Sequence, residues 1–158
     1  MGTNGGDHHE GQGSKALAMT AMADSLCSCT FTSILIWGAN TDKIITDMLN
    51  GLCGWNMKPE DYWTTAKRIM TAERLLLVRD GVSSKDDRLP IRMYKEKLPE
   101  GPKKGVIFTE EDQKKMETDT YGFFGWDAKG IPTEATLKAY GMDAFIGELN
   151  AAKKKYNL

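Results

Sequence analysis

Apolar residues recur at helical spacing over most of the chain, and the interruptions mark where one element gives way to the next. From Ser14, read as an N-cap, Lys15-Ala16-Leu17-Ala18-Met19-Thr20-Ala21-Met22-Ala23-Asp24-Ser25-Leu26 consists mostly of good helix formers with small side chains. So many alanines predict a helix that packs closely against its neighbours. Cys27-Ser28-Cys29-Thr30-Phe31-Thr32 is turn-prone and β-branched, which ends that helix and puts the two cysteines in a loop. Thr41-Asp42 opens a second helix with Ile44, Ile45, Met48 and Leu49 on one face, closed by Asn50-Gly51. A third begins at Pro59-Glu60-Asp61 and runs through Tyr62, Ala66, Ile69, Met70, Glu73 and Leu76, about five turns.

Prolines crowd the stretch from Asp80 to Phe108, at Leu89-Pro90 and Leu98-Pro99-Glu100-Gly101-Pro102, so it reads as an extended strap of the kind that lies across a larger body. Thr109-Glu110-Glu111-Asp112 starts another helix with acids in its first turn, Thr133-Glu134 a short one ending at Gly141, and Asp143 a last one to about Lys155. The expectation is an all-α fold of about six helices, irregular, with at most one short strand at Val106-Ile107-Phe108 and no internal repeat. Residues 1–14 read as a Gly/His-rich loop or tail and 15–158 as a single helical domain.

Length and composition agree with one domain: 158 residues, 41% hydrophobic and 27% charged, are ordinary globular values. Twenty-one basic and 22 acidic residues leave a net charge of -1, which speaks against nucleic acid or an anionic membrane as partner. The most apolar run, Phe31 to Trp37, is broken by Thr32 and Ser33 and falls far short of the ~20 residues of a membrane span. Met1 to Ser14 has neither the basic nor the apolar region of a secretory signal, and the three cysteines show no CxxC spacing, so the expected location is the cytoplasm.

Candidate chemistry is sparse. Asp24 sits at the end of the first helix, five residues before the thiol of Cys29, where the helix dipole disfavours an anion and calls for a hydrogen-bond donor. A ligand amine would serve; so would a backbone amide or an arginine, with both cysteines then buried as small hydrophobes. His8 and His9 lie among glycines beside Asp7 and Glu10, as a solvated loop or a weak metal-chelating tail. A zinc or nickel site built from Cys27, Cys29, His8 and His9 is chemically allowed but has no supporting spacing. Arg74, Arg79, Lys85, Asp86, Asp87 and Arg88 read as a salt-bridged surface contributing little to stability.

Several segments together resemble the C-terminal helical domain of the tungsten-containing aldehyde:ferredoxin oxidoreductase family. Asp24-Ser25-Leu26-Cys27-Ser28-Cys29 resembles the family's second D-x-x-G-L-C motif. Asn50-Gly51-Leu52-Cys53-Gly54-Trp55, Arg68-Ile69-Met70, Glu73-Arg74-Leu75 and Val78-Arg79-Asp80-Gly81 follow in order. Lys85-Asp86-Asp87, Leu89-Pro90, Leu98-Pro99-Glu100-Gly101-Pro102, Gly125-Trp126-Asp127, Gly130-Ile131-Pro132-Thr133 and Leu137 complete the series. The family's glycine and leucine are Cys27 and Ser28 here. A glycine at that place supplies a φ above zero, which costs a cysteine about 1 kcal/mol or more.

The resemblance implies an oxidoreductase with a tungsten or molybdenum bis-pterin and a 4Fe-4S cluster, oxidising aldehydes to acids by two electrons and passing them to ferredoxin, in an anaerobic setting. It implies that Asp24 hydrogen-bonds a pterin's ring nitrogens, that Ser28 stands in the same cofactor-binding turn, and that Cys29 is a cluster ligand. Gly5-Gly6-Asp7-His8 resembles a G-A-D-H segment, which implies His8 as a catalytic acid or base near the metal. The family's other cluster ligands, a C-x-x-C-x-x-x-C run, and its first pterin motif are not in this sequence, so the implied partners include the remaining domains or subunits of the oxidoreductase. The alternative is a helical interaction or scaffold domain, derived from the family, without a cofactor role.

Overall fold

The computed structural model of the chain describes residues 12–29, 31 and 40–158. Seven α-helices occur among them: α1 (Gln12–Ser25), α2 (Thr41–Cys53), α3 (Pro59–Arg79), α4 (Arg92–Lys95), α5 (Glu110–Phe124), α6 (Glu134–Ala139) and α7 (Ile146–Tyr156), the last preceded by a 3₁₀ turn at Asp143–Phe145. The all-α class holds, and the helix beyond the expected six is α4, one turn inside the proline-flanked strap. The expected strand at Val106-Ile107-Phe108 does not form. Val106 and Gly105 instead exchange backbone hydrogen bonds with Leu98, closing the loop that holds Pro99 and Pro102.

Two boundaries differ from expectation. α1 starts at Gln12, so Ser14 is not a cap. It is a buried helical residue, with its hydroxyl 3.4 Å from that of Thr120 on α5. α2 runs past Gly51 to Cys53 and stops at Gly54, whose φ of 68° is the left-handed turn that a glycine enters without steric cost. Asn50 explains why the helix continues. Its side-chain amide donates to the Met57 carbonyl at 2.9 Å and accepts the Met57 N–H at 2.8 Å, which ties the last turn of α2 to the chain entering α3.

α3 is the spine. Its first half carries Tyr62 and Ala66, which meet Ala18 and Met22 of α1 and Phe124 of α5 in one buried cluster flanked by Leu26, Ile45 and Leu49. Ala18 and Ala66 are both fully buried, so neither helix holds the other off with a long side chain. Its second half contributes Val78 to a separate cluster with Ile131, Leu137, Met142, Leu149 and Ala152, built on α6 and α7. α1, α2, α5 and α7 all pack against α3. Its start follows from charge: Pro59 occupies the first turn, and the Asp61 carboxylate accepts the Lys58 N–H at 2.7 Å.

α5 begins at a capping box in which Thr109 Oγ1 accepts the Asp112 N–H and Asp112 accepts the Thr109 N–H. It ends at Gly125, beyond which the Trp126 ring lies against Phe124, with centroids 5.0 Å apart, and its indole N–H donates to Thr71 at 3.1 Å.

Candidate functional site

The Asp24-to-Cys29 segment is the C-terminal cap of α1. The Ser28 N–H donates to the Ala23 carbonyl and the Cys27 N–H to the Asp24 carbonyl, both at 3.0 Å, with Cys27 at φ 53°. This pair of bonds, six-to-one outside five-to-two, is the Schellman arrangement, in which the residue just past the cap must turn left-handed and is usually glycine. The motif glycine therefore has a definable task, and Cys27 performs it at a steric cost. The motif leucine occupies the next position, where an apolar residue commonly packs back on the last turn. Ser28 substitutes a polar tie: its hydroxyl donates to the Ala23 carbonyl at 3.1 Å. Both replacements leave the turn closed.

Asp24, Cys27, Ser28 and Cys29 are all exposed, while Leu26 is half-buried against the α1–α2–α3 cluster and anchors the turn. The reading of both cysteines as buried hydrophobes is overturned; Cys53, on the last turn of α2, is exposed as well. The reason is local. A left-handed residue at the end of a helix turns the chain off the helix axis, and Cys27, Ser28 and Cys29 are exposed there. Asp24 keeps its carboxylate at the negative end of the α1 dipole, where a donor from outside the chain would be favourable. His8 and His9 lie outside the described residues. Among the described residues, no group of three or more His, Cys, Asp or Glu is placed to hold a metal ion. Cys29, exposed on a rigid cap, fits the role of one thiolate in a shared cluster.

A second polar assembly lies across the middle of α3, where a weak surface salt-bridge network was expected. Arg74 is buried. Its Nε donates to the Gly130 carbonyl at 2.6 Å, and Nη1 and Nη2 donate to the two Asp87 oxygens at 2.8 and 2.6 Å. The Tyr121 hydroxyl donates to the same carboxylate at 2.7 Å, and Gln113 donates to the Asp87 carbonyl and accepts from Tyr94. Burial, and then the hydrogen bond to Asp87, push the Tyr121 phenol well above its usual value. This clamp fastens the start of the strap to α3, α5 and the 125–132 turn. The sequence offered one signal for it that charge counting missed: Gly130, at φ 71°, where an added Cβ would come within 2.5 Å of Arg74 Nη2 and 2.8 Å of Tyr121. The neighbouring Arg88–Glu110 and Arg79–Asp80 pairs are exposed, as expected of that stretch.

No helix among the described residues is long and apolar enough to cross a membrane. Comparison with known proteins matches residues 13–142 to the family described as aldehyde ferredoxin oxidoreductase, domains 2 & 3. Among curated proteins, the chain is 37% identical over 129 residues to the tungsten-containing aldehyde ferredoxin oxidoreductase of Pyrococcus abyssi, covering 81% of this chain and 20% of that protein. It is 36% identical over 129 residues to the protein of the same description from Pyrococcus horikoshii, again 20% of its length. It is 33% identical to the aliphatic sulfonate oxidoreductase, WOR-like subunit, of Pyrococcus furiosus, over all of this chain and 26% of that one. The chain thus spans a fifth to a quarter of the length of these relatives.

Proposed function

Because this chain belongs to the aldehyde ferredoxin oxidoreductase family, as a partial C-terminal region of it, we propose that it forms the C-terminal part or a split subunit of a tungsten-dependent enzyme oxidising aldehydes to acids. When bound, the tungsten or molybdenum bis-pterin and the 4Fe-4S cluster supply the two-electron chemistry and the path to ferredoxin. The chain's own task is to hold them from one side. The Asp24 carboxylate accepts N–H bonds from a pterin ring, which offsets the ~0.3–1 kcal/mol that the dipole of α1 exacts from an anion at that end. Cys29 contributes a thiolate to the cluster, deprotonated by iron. Ser28 braces the turn between them through its bond to Ala23. His8 moves a proton near the substrate carbon as acid or base.

The observation that carries this reading is the Schellman cap that forms with Cys27 and Ser28 in the motif's glycine and leucine places. The scaffold alternative rests on those same two departures and loses ground, because neither displaces Cys29 from the cap.

The test is anaerobic purification of the tagged chain from its source, with complex mass and metal content. An assembly with tungsten or molybdenum and about four irons per copy, whose iron falls sharply in Cys29→Ser, is the expected result. A metal-free species of 17.6 kDa, or iron unchanged by Cys29→Ser, would establish the scaffold reading instead.

A further inference from the structure

The turn that carries Asp24 and Cys29 closes with polar bonds and is held down by one apolar side chain. The Cys27 and Ser28 N–H groups and the Ser28 hydroxyl all bond to carbonyls in the last turn of α1, but Cys27 and Ser28 are exposed, so water competes for the same groups. Cys27 at φ 53° adds a steric reason for the turn to open. In a Schellman cap the usual counterweight is an apolar residue one place beyond the left-handed one, packed back on the last turn. That place belongs to the motif leucine, and here it is Ser28. Of the residues from Asp24 to Cys29, only Leu26 is withdrawn from solvent, half-buried.

Leu26 continues the core stripe of α1. Ala18, Met22 and Leu26 follow at four-residue spacing, which sets them on one face, and the Leu26 N–H still donates to the Met22 carbonyl at 3.0 Å. All three side chains belong to the cluster of Tyr62 and Ala66, against which Ile45 and Leu49 also pack. The stripe thus runs one residue past Ser25, the last of α1, and pins the turn to the bundle. We propose that Leu26 is the positioning residue of this turn: with serine in the motif leucine's place, its packing sets how Asp24 and Cys29 are presented to the cofactors. The proposal rests on the functional reading above and deepens it. Leu26 acts through the turn it anchors, and a leucine restored at position 28 supplies a second anchor that makes the first less needed.

The test compares Leu26→Ala, Leu26→Met and Leu26→Ala/Ser28→Leu with Leu149→Ala, which loses core packing in the other cluster. Two readouts are taken: amide hydrogen exchange at Cys27 and Ser28 in the full chain, with Ala66 as the core reference, and the EPR spectrum of the reduced 4Fe-4S cluster in the anaerobically purified assembly. In Leu26→Ala, exchange at Cys27 and Ser28 should quicken about tenfold or more relative to Ala66, and the cluster spectrum should broaden with its iron retained. Leu26→Met should stay within about twofold of the wild type and keep its spectrum. Leu26→Ala/Ser28→Leu should recover a large part of the protection lost in Leu26→Ala. Leu149→Ala should lower the melting point and move neither readout at the turn, because the turn opens without the bundle. Unchanged exchange or an unchanged spectrum in Leu26→Ala, no recovery with Ser28→Leu, or an equal spectral change in Leu149→Ala would each overturn Leu26 as the positioning residue. A wild-type assembly without iron sinks the functional reading instead, and exchange at Cys27 and Ser28 then decides whether Leu26 anchors the turn.

Discussion

Removing the Asp87 side chain tests whether the buried clamp holds the strap to the bundle. Asp87→Ala leaves the Arg74 guanidinium, only 5% exposed, with the Gly130 carbonyl as its remaining hydrogen-bond acceptor beside the Tyr121 and Trp126 rings, and deprives the Tyr121 hydroxyl of its acceptor. Stranding one member of a fully buried pair costs about 3–5 kcal/mol. The Asp87 side chain is 29% exposed, so water reaches part of the site and the expected loss is about 2–4 kcal/mol. For a domain of this size that lowers the melting point by about 5–15 °C. Urea unfolding followed by circular dichroism measures it, with Lys85→Ala on the exposed side of the same turn as a control expected within about 0.5 kcal/mol. Arg74→Met paired with Asp87→Ala should recover part of the loss, because a guanidinium is no longer stranded. If Asp87→Ala cost less than about 0.5 kcal/mol, the clamp would be an ornament of the surface and the reasoning from burial would be wrong.

Three other outcomes are expected. Cys27→Gly should stabilise the chain by about 0.5–1 kcal/mol in the same unfolding assay, because it removes the left-handed strain at φ 53°; a loss of stability would contradict the cap geometry. Gly130→Ala should destabilise by about 2 kcal/mol or more, since the new Cβ meets Arg74 and Tyr121 in a conformation that L residues avoid; a neutral result would show that the 125–132 turn yields. Burial, followed by the charge of Asp42, raises the Tyr62 phenol to about 12, and Tyr121 rises in the same direction. Their folded values lie above the unfolded value near 10, so the neutral forms contribute stability that is fully present below pH ~10 and lost as the pH climbs through the folded values. Unfolding free energy measured from pH 8 to 12 should therefore fall above pH ~10, and less steeply in Tyr62→Phe; equal slopes would refute the assignment.

The sequence was a good guide to what depends on neighbours along the chain. The five-turn α3 with Pro59 in its first turn, the Thr109 and Thr133 caps and the end of α1 before its cysteines follow from spacing and capping chemistry within a few residues. The motif order around Asp24 and Cys29 was equally legible, and with it the family. Gly51 misled as a helix end because the signal that extends α2, the Asn50 grip on Met57, spans a loop. Val106 to Phe108 reads as a strand by β-branching, but a strand needs a partner, and the partner that Leu98 supplies makes only a loop closure. The charged run at 74–88 looked like solvated surface, and no local rule distinguishes Arg74 and Asp87 from Arg79 and Arg88. The clamp that buries Arg74 against Asp87 is decided by the 125–132 turn and Tyr121, which arrive from more than thirty residues away. The exposure of Cys27 and Cys29 and of the outer strip of α2 belongs to the same class. Periodicity shows that a face is apolar, but only the packing of α1, α2 and α3 determines which part of it the chain covers itself and which it leaves exposed.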